Sequence, residues 1–112
     1  MDYWEALDAL VEKHRLIIDR PKGSTHPRFP ESTYPLDYGY LDGTTGGDGK
    51  GIDVWRGSVN ETSVVAAIFT VDSVKAESET KVLVGCTDEE IGTISRYHNT
   101  FSQRGLLVKR GD

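Results

Sequence analysis

The chain has 112 residues, 37% of them hydrophobic, enough for one modest core, so a single domain spanning residues 1–112 is expected. Its 18 acidic and 13 basic residues leave a net charge of -5, which argues against nucleic acid as a partner, because phosphate backbones are held by clustered Lys and Arg. No apolar run approaches the roughly 20 residues a membrane helix needs, and one cysteine, Cys86, makes no internal disulfide.

The first segment, Asp2 to His14, reads as an amphipathic helix: Trp4, Leu7, Leu10 and Val11 keep helical spacing, with Glu5, Asp8 and Glu12 outward and Asp2 as N-cap. Its acidic start carries no apolar signal core, and with the lone thiol this points to a cytoplasmic protein. Arg15 to Asp19 is short and β-branched and predicts a strand. Pro21 to Thr33 holds three of the four prolines and is expected to be irregular. A short strand is expected around Tyr38, Gly39 and Tyr40. Asp42 to Gly51, with five glycines, predicts a loop. Ile52 to Arg56 reads as a strand and Gly57 to Glu61 as a turn.

Ser63 to Val74 is the longest apolar stretch, and its β-branched content favours a central strand over a helix. Lys75 to Thr80 reads as a charged turn and Lys81 to Gly85 as a strand. Thr87-Asp88-Glu89-Glu90 is a capping-box start, with acids suited to the positive end of a helix dipole. Ile91, Ile94, Tyr97, His98 and Phe101 continue it as a helical stripe. Leu106 to Val108 closes the chain as a short strand. Helices at both ends of a run of strands define an α+β class, and a small, partly open, OB-like barrel of about five strands with flanking helices suits the order. So small a domain buries a modest share of its surface, and assembly into a homo-oligomer is one remedy.

Several residues are equipped for chemistry. Asp48 in the loop and Asp53 on the following strand can converge on one hard cation, since Mg²⁺ needs only one or two carboxylates besides waters and substrate oxygens; Asp48-Gly49 is equally an ordinary turn pair. Tyr34, Tyr38 and Tyr40 carry hydroxyls able to donate to a phosphate without adding charge, or serve as packing residues. With Trp55 they also offer a stacking surface for single-stranded nucleic acid, which the acidic balance disfavours. Glu77, Glu79 and Lys81 alternate and share one strand face, which suits a second cation and a phosphate or simply a solvated face. Lys22, His26 and Arg28 place cations in the proline-rich loop without the glycine spacing of a nucleotide-binding P-loop.

The run Tyr34-Pro35-x-x-Tyr38-Gly39-Tyr40, followed by Asp48-Gly49-Lys50-Gly51-Ile52-Asp53, resembles the soluble family I inorganic pyrophosphatases. That family carries Tyr-Pro-x-x-Tyr-Gly-Tyr and then Asp-x-Asp-Pro-x-Asp. Here Lys50 stands in place of the middle aspartate and Gly51 in place of the proline. The resemblance implies an OB-like barrel and Mg²⁺-dependent hydrolysis of diphosphate to two phosphates. By the same resemblance Asp48, Asp53, Tyr38 and Lys81 are the catalytic set. Asp48, Asp53, Glu77, Glu79 and Asp19 are the metal ligands. Lys22, Arg28, Tyr38, Lys50, Lys81, Tyr97 and His98 contact substrate. The alternative is a non-catalytic relative that binds phosphate or a nucleotide in the same pocket.

Overall fold

A computed structural model of the chain describes residues 1–111. Helix α1, Tyr3–Lys13, starts at a capping box in which the Asp2 carboxylate accepts the Glu5 N–H at 2.8 Å and Glu5 accepts the Asp2 N–H at 3.0 Å. Six strands follow: β1 (Leu16–Arg20), β2 (Asp37–Leu41), β3 (Ile52–Arg56), β4 (Val64–Asp72), β5 (Glu77–Val84) and β6 (Gln103–Lys109), with helix α2, Asp88–Tyr97, between the last two. Among the described residues no helix is long and apolar enough to cross a membrane.

The strands form one mixed sheet in the order β1-β2-β3-β5-β4-β6. Neighbours are antiparallel except β3 and β5, which run parallel because β4 leaves a gap beside β3 that β5 then fills. The expected α+β class with a helix at each end is the one observed. The sheet has six strands where five were expected, and β1 and β6 remain as open edges.

Side chains alternate across the sheet, so each face packs its own helix. Leu41, Val54, Val82 and Val84 meet Trp4, Leu7, Leu10 and Val11 of α1. Trp55, Ala66, Ile68 and Leu83 meet Ile91 and Ile94 of α2, with Tyr34 and Leu36 completing that layer. Thr87 caps α2 by the box expected from sequence.

Two expectations are corrected. The turn after β4 is tighter than the predicted Lys75–Thr80, because β5 begins at Glu77 and pairs with Asp72 of β4. Helix α2 stops at Tyr97, so Phe101 lies outside it on a left-handed turn residue (φ 54) and is 82% exposed. An apolar residue in helical register is not held in a helix when nothing across from it offers cover.

Candidate functional site

Lys81 anchors the site. It lies on β5 between Thr80 and Val82, on the face opposite Val82 and Val84, and directly beside Asp53 in the parallel β3–β5 register. Its ammonium donates to Tyr38 Oη at 2.8 Å, Asp53 Oδ2 at 3.1 Å and Glu79 Oε2 at 2.6 Å. Three strands thus satisfy the three donors of one ammonium. Burial by itself lowers the Lys81 pKa, but Tyr38, Asp53 and Glu79 outweigh it and hold the group cationic, above its ordinary range. Burial raises the Tyr38 hydroxyl above its ordinary range, so the phenol keeps its proton while accepting from Lys81. Asp53 is also raised by burial, with Lys81 acting against that rise. One ammonium against two carboxylates leaves the cluster net negative.

Two concavities meet at Glu79. The larger, of about 450 Å³, is floored by Tyr34, Tyr38, Trp55, Glu79 and Lys81 and walled by His26, Phe29, Lys75, Glu77, Tyr97 and Phe101. The smaller, of about 150 Å³, lies toward α1 and is lined by Asp48, Asp53, Glu79 and Thr80 together with Tyr3 and Leu7.

The expected site residues divide accordingly. Tyr38, Asp53, Glu79 and Lys81 are brought into direct contact. Asp48 shares the smaller cleft with Asp53 and Glu79, but its Oδ1 accepts the Lys50 N–H at 2.9 Å across its own turn. Glu77 and Tyr97 line the larger cavity, Tyr97 Oη lying 3.4 Å from Ser32 Oγ.

Asp19, Lys22, Arg28 and Lys50 are exposed and line neither concavity. Lys22 is held through its backbone, whose N–H donates to Asp37 Oδ1 at 2.8 Å, and Arg28 through its N–H to His26 Nδ1 at 3.1 Å. His98 touches the cavity but has no free ring nitrogen. Trp55 Nε1–H donates to its Nε2 at 2.9 Å, which leaves the proton on Nδ1, donated to Gln103 Oε1 at 2.8 Å. Burial lowers its pKa to about 4. Both ring nitrogens are thus taken by protein partners, Trp55 and Gln103.

Sequence reasoning left Phe29, Lys75 and Phe101 out of the site. Each is on an irregular segment or tight turn, and no local pattern marks such positions as facing a common cavity.

The donor set is compatible with a hard cation held by one or two carboxylates and completed by waters and substrate oxygens: Asp53 and Glu79, with Asp48 alongside, are all oxygen donors. It does not form an all-protein cage, since no three His, Cys, Asp or Glu side chains converge among the described residues.

The sequence profile of the family described as Inorganic Pyrophosphatase matches residues 4–106. The chain belongs to that family. Its fold is similar to an inorganic pyrophosphatase from Neisseria gonorrhoeae, at 15% identity and TM-score 0.62 over 84% of this chain and 80% of the other. It is also similar to the inorganic pyrophosphatase of Helicobacter pylori, at 14% identity and TM-score 0.57 over 84% and 81%. A third neighbour, an inorganic pyrophosphatase from Coxiella burnetii, gives 14% identity and TM-score 0.56 over 84% and 82%. At such identities the likeness is one of fold. No curated protein matches the sequence.

Proposed function

We propose that the chain hydrolyses inorganic diphosphate to two phosphates in a Mg²⁺-dependent reaction. The observation that carries this reading is the charge of the Lys81 cluster. Two carboxylates around one ammonium repel an anionic substrate unless a cation intervenes. Asp53 and Glu79 would hold Mg²⁺, with Asp48 beside them in the smaller cleft. A cation held by these carboxylates would supply Lewis-acid polarisation of phosphate oxygens and make an attacking water more acidic. The protonated Tyr38 would donate to a phosphate oxygen, while Lys81, its three N–H groups already given to Tyr38, Asp53 and Glu79, would contribute its positive charge rather than a free donor.

Phosphate release from diphosphate, measured with and without Mg²⁺, tests the reading. The expected result is release only with Mg²⁺, falling about 100-fold in Asp53→Asn, which keeps the shape but removes a ligand charge. Lys50→Asp, which exchanges a positive for a negative charge two residues from Asp48, is expected to raise Mg²⁺ affinity and turnover through charge alone, since position 50 lines neither concavity. No release above the protein-free rate overturns the assignment.

One observation favours a second reading. Lys50 stands in the turn that the resemblance assigns to the metal, and one oxygen of the Asp48 carboxylate accepts the Lys50 backbone N–H. A non-catalytic phosphate- or nucleotide-binding relative fits these facts. It predicts Mg²⁺-dependent diphosphate binding without phosphate release.

A further inference from the structure

The larger cavity is built for more than an inorganic ion. Its volume of about 450 Å³ falls in the range of roughly 300–1,000 Å³ typical of pockets for organic ligands. Its two ends differ in chemistry. At the floor are the Tyr38 hydroxyl, which accepts from Lys81 and keeps its own proton to donate to a phosphate oxygen, and the positive charge of Lys81 behind it. At the rim are aromatic rings that diphosphate, having no carbon, has no use for.

The rim begins at His26. Its ring lies parallel to Tyr34, with centroids 5.9 Å apart and planes 4° apart, and it is 5.0 Å from Phe29. Burial, helped by Lys75, Arg20 and Arg28, lowers its pKa below the ordinary value, so the imidazole is neutral near pH 7. Its Nδ1 accepts the Arg28 N–H, which puts the ring proton on Nε2. Nε2 has no protein partner among the described residues. The ring is a flat, uncharged platform with one donor to spare.

Phe29 and Phe101 are 40% and 82% exposed, and both line this same cavity. Phe101 is held there by a left-handed backbone (φ 54) that a bulky side chain rarely adopts. The Lys75 ammonium sits 5.1 Å over the Phe29 ring and has no carboxylate partner among the described residues. It adds a second cation to the cavity lining, beside Phe29. Glu31, Asp72, Glu77 and Glu79 also line the cavity, so phosphates enter it only together with a cation; with that cation, the exposed rings above the Tyr38 hydroxyl match a ligand with an aromatic base at one end and phosphates at the other.

We propose that this cavity takes a nucleoside diphosphate, with the base stacked among His26, Phe29 and Phe101 and the diphosphate toward Lys81 and Tyr38. The assignment of that end rests on the phosphate-site reading above. If the site is hydrolytic, a water oxygen bonds to the terminal phosphorus as its bond to the bridging oxygen breaks. The bridging oxygen leaves with the electron pair on the nucleoside monophosphate, and the water's proton goes to solvent.

The test is calorimetric titration of the whole chain, in Mg²⁺, with ADP, AMP and inorganic diphosphate, alongside phosphate release from ADP and diphosphate. ADP is expected to bind at least tenfold more tightly than either AMP or diphosphate. In the Phe29→Ala, Phe101→Ala double variant, whose side chains are exposed and contribute little to folding, the ADP preference over diphosphate should fall about 5- to 150-fold. ADP binding no tighter than diphosphate, or a preference unmoved by the double variant, overturns the proposal. The two readings fail separately. Release from diphosphate with no ADP preference removes the nucleoside ligand alone. Phenylalanine-dependent ADP binding without any phosphate release supports the ligand and removes the hydrolase.

Discussion

Lys81 and His98 are both buried beside the same cavity, and their partners send them opposite ways. Lys81 meets two carboxylates and a phenol and keeps its proton. His98 meets an indole N–H and an amide oxygen, partners that suit a neutral ring, and burial depresses it from 6.5 to about 4. A depressed folded pKa means that the unfolded chain binds the proton first as pH falls. The His98 contribution is therefore complete above pH 6.5 and is lost as pH drops through about 4. In full it amounts to roughly 3 kcal/mol. Urea unfolding followed by tryptophan fluorescence should show lower stability at pH 4.5 than at pH 7, and His98→Gln should remove much of that difference. Protonated Nε2 can no longer accept from Trp55, so the Trp55 indole reports the event. An identical pH dependence in His98→Gln would mean other groups carry it.

At the scale of elements, both helices begin at capping boxes, and Thr87 was readable as a cap because Ser/Thr three residues before Glu is a local motif. Glu90 does more than the motif requires: it also accepts from the Ser58 amide at 3.2 Å and so ties the β3–β4 turn to α2. The β1–β2 pair depends on Gly39. A Cβ there would lie 1.8 Å from the Ile17 carbonyl oxygen, too close for any side chain. Gly39→Ala is expected to cost about 3 kcal/mol or more by forcing these strands apart, read as a lowered melting temperature. Because Tyr38 is the preceding residue, its Lys81 contact should loosen as well. A wild-type melting temperature would show that the strands yield easily. The strand Ile52–Arg56 matched its sequence reading to the residue, since turn residues bound it on both sides. The β5 start did not, because Glu77 to Thr80 is charged and polar and is a strand only through pairing with β4.

The whole molecule is closed by a contact between its two ends. Arg110, just past β6, donates to Asp8 Oδ2 of α1 at 2.8 Å and to the Val64 carbonyl at 3.0 Å, while Asp8 Oδ1 accepts the Val64 N–H at 2.9 Å. The pair is partly exposed, so its ionic part is modest. Arg110→Ala is expected to cost about 1–2 kcal/mol, most of it from carbonyl and carboxylate left without their donor. Equilibrium unfolding checks this, and Arg110→Lys should recover part of the loss. Nothing near Arg110 in the sequence announces a partner in the first helix.

The two helix starts, most strand positions, the α+β class and the family were legible along the chain, since they rest on periodicity, capping and short motifs whose parts are neighbours in sequence. The sequence also marked Tyr38, Asp53, Glu79 and Lys81 as chemical residues. That the first three surround the ammonium of the fourth follows from long-range pairing, because strand order β3-β5-β4 places Asp53 beside Lys81. The tertiary structure likewise left Asp19, Lys22, Arg28 and Lys50 outside and brought Phe29, Lys75 and Phe101 to the cavity rim. The physical reason is the same in each case. Residues on loops and across strand crossovers meet through long-range pairing and packing, and local sequence carries no record of which distant backbone will lie alongside.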